Sequence, residues 1–501
     1  MFFKERWLWM DEVCSYVLLS DHSLAHAQQA IVGAIDANPP LFIDVYWLLG
    51  HGISLQPLFL RAVTAVLFAT AIGLFYRDIT RVLGRPVLNF VVVTLFVAFT
   101  YLNYTLSTQV RSYSLLLLLF WLYFFNSYQL TSQYWQPWRL GWQLLLGTAL
   151  AYAHNFGLLY VAILTGFFGV LGLWSGRYRA YGVLLAAQLG AVALWALGWY
   201  RNFRVQALAG QPHSWIKLPT WESGIRTVAD LLPTPSAHLE AGPIGMLLPT
   251  LRVVVVLALL VALVLPRARQ GYAALMRDAP ALLVAQAGFV AVGAIVAALV
   301  ASFTITSVFL NRYLWPVHLL FGVVVLAAVH HWLTGPLARL ALTPWPGRVG
   351  VLTAYALVMM GFVTYQNRKI TLFRSDLLPY LAPLNPRYPV FYESANYFMP
   401  IWYQHMYPGA HFLLDWPMAL RSKSLDATVF YHIMSSLRSS YQVGAVVPLP
   451  QFTAANYPHF YLVDEPHFQQ MNDFIARGQV QVVRVLPTGV NARILECRFV
   501  R

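Results

Sequence analysis

Two acidic residues stand side by side in "WMDEVCSY", Asp11 and Glu12, at the head of a long chain that is otherwise poor in acid. A carboxylate at the mouth of a membrane cavity can take the proton of an acceptor hydroxyl. In the plainer reading Asp11 caps a helix through "EVCSYVLLSD", with Glu12 favoured in its first turn by the helix dipole. A capping turn is also a rigid mount, so both readings can hold together. Arg111 in "TQVRSYSLLLLLF" and Arg312 in "FLNRYLWPVHLL" each stand just before an apolar run. Such an arginine either snorkels to the membrane interface or offers its planar fork to a phosphate. "AYAHNFGLLYV" puts His154 and Asn155 between two apolar runs with almost no loop. That histidine either bonds a backbone carbonyl or meets a ligand. Arg252, inside "PTLRVVVVLALL", must face a cavity or snorkel outward.

The elements that would position these residues are membrane helices. The 501-residue chain is 59% hydrophobic and 10% charged, against about 25% charged in soluble proteins, and its mean hydropathy is +0.58. A span takes about 20 apolar residues, which predicts ten spans, near 57–77, 88–106, 112–128, 140–155, 156–174, 180–200, 244–265, 280–303, 313–333 and 347–367. The shorter segment 39–56 reads as an interfacial helix, and Trp215 and Trp221 suit a connector lying on the membrane. If the spans alternate, Arg77, Arg81, Arg85, Arg139, Arg177, Arg179, Arg267, Arg269, Arg277, Arg339 and Arg348 share one side, which is then cytoplasmic. Asp11, Glu12, Arg111, His154, Arg312, the 201–243 loop and the tail then share the opposite side. Two arginines on the face that carries the carboxylates point to an anionic ligand.

The tail has a different texture. The runs "YPVFYES", "HFLLDW", "QVGAVV", "HFYLVD" and "VQVVRVL" alternate with helical stretches such as 466–478, predicting a small α/β domain with a mostly parallel sheet. The fold class expected is thus a polytopic α-helical membrane domain over 1–369, with outer loops 1–56 and 201–243, followed by a small extracytoplasmic α/β domain over 370–501.

The net charge of +14 is scattered as arginine between apolar runs, a signal of topology and anionic-lipid contact, so no nucleic-acid partner is expected. The chain has no Walker sequence, no G-x-G-x-x-G after a strand, no H-E-x-x-H and no D-x-D, which leaves a nucleotide-driven engine unsupported. No cluster has zinc-ligand spacing, so no metal ligands are assigned. Cys14 and Cys497 are the only cysteines, and spacing alone does not establish a bridge between them.

Taken in order, several stretches resemble the GT-C class of integral-membrane glycosyltransferases, in particular the bacterial relatives of protein O-mannosyltransferases and of the lipid A aminoarabinose transferase. "WMDEVCSY" resembles the Asp-Glu motif of their first outer loop, and "DANPPLF" (36–42) their His/Asn-Pro-Pro-Leu interfacial segment. "QVRSYSLLLLL" resembles a Glu-Ala-Arg-x-Tyr-Ala-Leu run, "YAHNFGLLYV" a Tyr-x-His-x-Phe-Gly stretch, and "NRYLWPV" an Arg-Tyr-Leu-x-Pro. The resemblance implies a sugar donor linked to polyprenyl phosphate and an acceptor glycan, lipid or protein. Transfer would take place, with inversion, at the outer face of a bacterial inner membrane. It implies Asp11 as base or acceptor-orienting acid with Glu12 beside it, and Arg111, Arg312 and His154 as holders of the lipid phosphate. Asn38, Tyr113, Asn155 and Tyr313, within these motifs or beside them, would line the substrate cavity. Gln109 stands where relatives carry Glu, which removes a carboxylate that could contact sugar or metal. No cofactor is therefore certain, and a divalent metal stays possible without support from the sequence. Relatives also place a transmembrane helix ahead of the Asp-Glu motif, whereas ten residues precede Asp11 here. A start codon set downstream of the true one is the expectation, and loss of the first helix the alternative.

Two other classes stay open at this point. A lipid or sugar transporter predicts repeats, broken helices and mid-membrane charges. A non-catalytic scaffold subunit predicts none of the transfer chemistry.

Overall fold

The structure, a computed structural model, describes residues 7–132, 136–209, 215–234, 245–334, 354–366 without 356 and 360, 373, 375–421 and 428–500 without 467 and 469. The described chain forms two compact units. One falls within Leu58–Tyr200 and Leu218–Ile370; the other within Glu5–Pro57, Arg201–Lys217 and Thr371–Arg501.

The first unit is a bundle of apolar helices. Proline sets three starts where its missing N–H costs nothing: α4 (Pro57–Leu83), α5 (Pro86–Ala98) and α8 (Pro137–Ala153). After α5 come α6 (Tyr101–Leu106) and α7 (Tyr113–Ser132), and after α8 come α9 (Asn155–Ser175) and α10 (Tyr178–Ala209), whose residues from Arg201 onward belong to the second unit. The remaining helices of the bundle are α11 (Trp221–Ala229), α12 (Leu247–Arg269), α13 (Tyr272–Arg277), α14 (Ala279–Thr304) and α15 (Trp315–Thr334). Gly176 closes α9 at φ +68°, a left-handed turn that a side chain would strain.

Among the described residues 7 helices are long and apolar enough to cross a membrane: α4, α7, α9, α10, α12, α14 and α15. The expected span at 140–155 is α8, 17 residues long. Of the tenth expected span, 347–367, residues 354–355, 357–359 and 361–366 are described, and the rest lies outside the described residues. Trp121, Trp315, Phe75, Phe120 and Phe124 fill the centre of the bundle, each at most 1% exposed.

The expected span 88–106 is broken into α5 and α6 at Phe99–Thr100. A break inside a bilayer frees carbonyls that hydrocarbon cannot satisfy. Here the Asn103 side-chain amide donates to Val97 O (2.9 Å), the Tyr104 hydroxyl to Ala98 O (2.6 Å) and Thr234 N–H to Phe99 O (2.6 Å). Asn103 also accepts from the Trp315 indole (2.8 Å) and meets Nε2 of the fully buried His318 (3.1 Å), whose other nitrogen bonds Leu231 O (2.9 Å).

The second unit joins helices from the start of the chain to a mixed sheet. α1 (Met10–Leu19), α2 (Leu24–Val32) and α3 (Leu41–Gly52) are tied by Trp47 Nε1 to Asp21 O (2.7 Å) and by Gln28 to Asp44 (2.9 Å). The helix expected near 39–56 is α3. The sheet comprises β1 (Val390–Tyr392), β2 (Ala410–Leu414), β3 (Val446–Pro448), β4 (His459–Asp464), β5 (Val480–Leu486) and β6 (Arg493–Phe499), in the order β3-β2-β1-β4-β6-β5. The first four are parallel, as expected; β6 enters antiparallel between β4 and β5. Cys14 and Cys497 are both buried, and neither forms a disulfide among the described residues.

The long helix expected at 466–478 shrinks to Asn472–Ala476. The cause is Glu393, 3% exposed, which accepts Met471 N–H (3.2 Å) and Glu465 N–H (3.4 Å) and draws the chain before the helix onto itself.

Candidate functional site

In the bundle, Arg111, His154 and Arg312 each stand just before the start of a long helix: α7, α9 and α15. Each helix start carries unpaired N–H groups and a partial positive charge, so an anion suits it. The three residues gather at one end of the bundle. The His154 ring lies within electrostatic reach of both arginines, with the Tyr313 ring 5.4 Å away and the Tyr113 ring 6.1 Å away, centre to centre. The Arg312 guanidinium lies 5.5 Å from the centre of the Tyr313 ring. Arg111 is 9% exposed, His154 and Tyr113 2% each.

The local fold explains how His154 comes to be there. α8 ends at Ala153 and α9 begins at Asn155, so His154 alone makes the corner, with φ −162° and ψ 145°. The corner closes only because Gly157 has no side chain: a Cβ there would sit 1.9 Å from Leu150 O. His154 Nδ1 accepts Phe156 N–H at 3.1 Å and so caps α9. An accepting Nδ1 carries no proton, so the proton of the neutral ring sits on Nε2. His154 Nε2 is buried and has no hydrogen-bond partner among the described residues. His154 therefore presents a donor beside two cations. The backbone-carbonyl role allowed by the sequence is not the one found.

More buried polar atoms lie on the stretch that carries Arg111. The Gln109 side-chain oxygen and the Ser112 and Ser114 hydroxyls have no hydrogen-bond partner among the described residues, and none of the three residues is more than 3% exposed. A buried polar group left unpaired costs about 1–3 kcal/mol, and native chains rarely keep several in one place without use for them.

Residues that sequence reasoning missed brace this end. Asp230 accepts from the Asn311 amide (2.8 Å), and the Asn311 side-chain oxygen accepts Arg312 N–H (2.7 Å). Asn311 thereby fixes the backbone at Arg312. Arg252 neither faces a cavity alone nor merely snorkels: its guanidinium donates to Pro233 O (3.1 Å) and to the Thr234 hydroxyl, holding the turn that satisfies the α5–α6 break. A sequence signal existed for Asn311, an amide next to a helix-starting arginine, but none for Asp230.

Asp11, Glu12 and Asn38 belong to the second unit. α1 starts at Met10 with Trp9 at its N-cap and no side-chain cap bond. Asp11 is therefore the second helical residue, not the cap, and both acids lie in the first turn, where the helix dipole favours them. Glu12 is fully buried and Asp11 partly exposed. Gln404, at the end of the helix Ala395–Tyr403, pairs with the backbone just ahead of α1. Its side-chain oxygen accepts Leu8 N–H (2.8 Å), and its amide donates to Leu8 O (3.0 Å) and to its own helix at Pro400 O (3.1 Å). Tyr403 adds a bond to Tyr16 O (3.4 Å) and one with Ser20 (2.9 Å). The C-terminal segment thus holds the acidic helix in place. Asn38 donates its N–H (3.0 Å) and its side-chain amide (2.9 Å) to Asp36, and Asp36 O accepts from Gln206 (3.0 Å), so Asn38 shapes its own turn. Among the described residues no group of three His, Cys, Asp or Glu side chains is placed to hold a metal ion.

No protein-family model matches the sequence, and no curated protein matches it. Among solved structures it is similar to ArnT from Cupriavidus metallidurans in two states. The apo state aligns with TM-score 0.50 and 15% identity over 98% of this chain and 93% of that one. The state bound to undecaprenyl phosphate aligns with TM-score 0.51 and 15% identity over 98% and 92%. At that identity the likeness speaks to architecture, and the chain has the ArnT-like fold expected from its resemblance to GT-C membrane glycosyltransferases.

Proposed function

We propose that this chain is a glycosyltransferase that moves a sugar from polyprenyl phosphate to an acceptor hydroxyl at the outer face of a bacterial inner membrane. The supporting observation is the buried His154 Nε2–H donor within reach of Arg111 and Arg312, at the starts of three helices. Such an arrangement suits a phosphate group. That one ArnT structure is bound to undecaprenyl phosphate supports a polyprenyl phosphate as the lipid class.

In this reading Arg111, Arg312 and His154 hold the donor phosphate and stabilise the charge it gains on leaving. The acceptor oxygen forms a bond to the anomeric carbon while the bond from that carbon to the phosphate oxygen breaks. The electron pair leaves with the phosphate, and the hydroxyl proton passes to the Asp11 carboxylate. A single displacement inverts the anomeric centre. Glu12 supports Asp11, and Tyr113, Asn155, Tyr313 and Asn38 are assigned to the substrate cavity. Residues 1–369 are assigned to catalysis in the membrane and 370–501 to an extracytoplasmic domain. The acceptor is a glycan, a lipid or a protein.

A transporter reading draws on the broken α5–α6 helix, since such breaks often coordinate a cargo or ion. The carbonyls freed here are taken up by Asn103, Tyr104 and Thr234, which leaves that reading weaker.

The test is binding of undecaprenyl phosphate to the purified full chain, followed by transfer in liposomes from a labelled lipid-linked sugar. Arg111→Ala and Arg312→Ala should each weaken lipid binding about tenfold or more, the loss of a charged hydrogen bond. Asp11→Asn should bind normally and abolish transfer. Lipid binding indifferent to both arginines, or transfer undiminished in Asp11→Asn, would overturn the assignment. Donor crossing the bilayer without transfer would favour the transporter.

A further inference from the structure

We propose that Gln109 reads the sugar of the donor, and that the sugar it reads is uncharged. The inference rests on the proposed phosphate site and adds the class of sugar to it.

Gln109 lies two residues before Arg111, in a tight turn where Arg111 N–H donates to Gln109 O at 2.7 Å. The Gln109 side chain is 3% exposed, yet its carbonyl oxygen finds no donor among the described residues. The same holds for the hydroxyls of Ser112, 2% exposed, and Ser114, fully buried. One short stretch thus combines an arginine with three neutral, buried side chains whose oxygens have no hydrogen-bond partner among the described residues. Leaving all of them unpaired costs several times the worth of an ordinary hydrogen bond. A ligand that supplies both donors and acceptors removes that cost, and a sugar, with its ring of hydroxyls, does so.

The charge type narrows the sugar. An amide oxygen and two hydroxyls recognise O–H groups without demanding a counter-ion. A carboxylate at 109 would act differently. It would call for a cation, either a metal or the ammonium of an amino sugar, and it would compete for the Arg111 guanidinium that the phosphate needs. With glutamine there, no such competition for Arg111 arises, and an ammonium placed at 109 would meet no compensating charge from that side chain. A neutral hexose or pentose is the sugar this stretch favours.

The experiment compares three probes on the purified full chain in nanodiscs: undecaprenyl phosphate alone, the same lipid carrying a neutral hexose, and the same lipid carrying an amino sugar. The wild type should bind the hexose lipid about tenfold more tightly than the bare lipid, the worth of one or two buried hydrogen bonds, and should gain nothing from the amino sugar. Gln109→Met should erase the hexose gain and leave bare-lipid binding unchanged, which also shows that the variant is folded. Gln109→Glu should weaken the bare lipid by engaging Arg111. A hexose gain that survives in Gln109→Met, a wild-type preference for the amino sugar, or loss of bare-lipid binding in Gln109→Met would each overturn the proposal. Failure of the phosphate site is a separate result, seen as bare-lipid binding that ignores Arg111→Ala.

Discussion

Gln404 gives the C-terminal segment a testable purpose. Its side chain makes two hydrogen bonds to the backbone of Leu8, immediately before α1 and three residues ahead of Asp11, and a third to Pro400 O. Leu8 is 2% exposed, so its N–H and C=O have little access to water once the amide is gone. Each such bond is worth about 1 kcal/mol net, and the two to Leu8 together about 2 kcal/mol. Gln404→Leu, which keeps the volume and removes the polar atoms, should therefore raise local opening of residues 8–12 roughly thirtyfold. Hydrogen exchange of the purified full chain, read by mass spectrometry on the N-terminal peptide, measures this directly. Gln404→Glu discriminates further: its carboxylate still accepts from Leu8 N–H but cannot donate to Leu8 O, so about half of the free-energy loss is expected. Loosened acids should also slow transfer while undecaprenyl phosphate binding in the bundle stays at the wild-type level. Exchange at residues 8–12 unaltered in Gln404→Leu would refute the clamp, and altered exchange with full transfer would refute its link to Asp11.

Two further outcomes follow from the geometry. His154→Asn can still cap α9 through its side-chain oxygen, but its shorter amide brings its N–H donors only to the level of the ring Cδ2, short of the Nε2 position, whereas His154→Ala loses cap and donor alike. Both should lose undecaprenyl phosphate affinity roughly tenfold, and only the alanine variant should lose about 1 kcal/mol of thermal stability; binding at wild-type strength in His154→Asn would exclude the donor role. Asp21 offers a pH test: burial pushes its carboxyl upward, but bonds from Ser23 N–H, His26 and Tyr441 outweigh this and hold it below the ordinary carboxylate value. A depressed folded value means that its stabilisation is present above the unfolded value of about 3.9 and is lost as pH falls through the folded one. Melting temperature followed from about pH 6 down to pH 2 should drop less steeply in Asp21→Asn than in the wild type, and equal slopes would contradict the assignment.

Much of this architecture was legible from residue order. Runs of apolar residues punctuated by Pro57, Pro86, Pro137 and Gly176 give helix starts and stops through local backbone physics, which needs no knowledge of the rest of the chain. β4 and β5 were legible for a similar reason: "HFYLVD" and "VQVVRVL" are rich in β-branched and aromatic residues. β6 was not, because "RILECRF" carries charges that make sense only once Arg493 meets Asp464 and Glu496 meets His459 across the sheet. The break between α5 and α6 escaped the sequence too, since one of its stabilising groups comes from Thr234, in a different part of the chain. Asp11 was misplaced by one turn feature: an acid before an apolar run looks like a cap, but Trp9 takes that position. For the candidate site, the types of Arg111, His154 and Arg312 and their places at the heads of apolar runs were enough to single them out. The tautomer of His154 depends on which backbone N–H it caps, and the clamp by Gln404 joins residues nearly four hundred positions apart. No local pattern encodes either.

The broken α5–α6 helix also bears on how the chain is made. Membrane segments leave the ribosome in order, and a span whose carbonyls are unsatisfied is poorly suited to lipid on its own. Asn103 and Tyr104 mend two of the freed carbonyls as soon as this segment is complete, but Phe99 O waits for Thr234, and Asn103 waits for Trp315 and His318. The segment therefore stays incompletely mended until most of the bundle has been synthesised. During that interval it needs shelter from lipid, either against α4 and α7 or within the insertion machinery, and a chain truncated before Thr234 would expose a polar notch for membrane quality control to read.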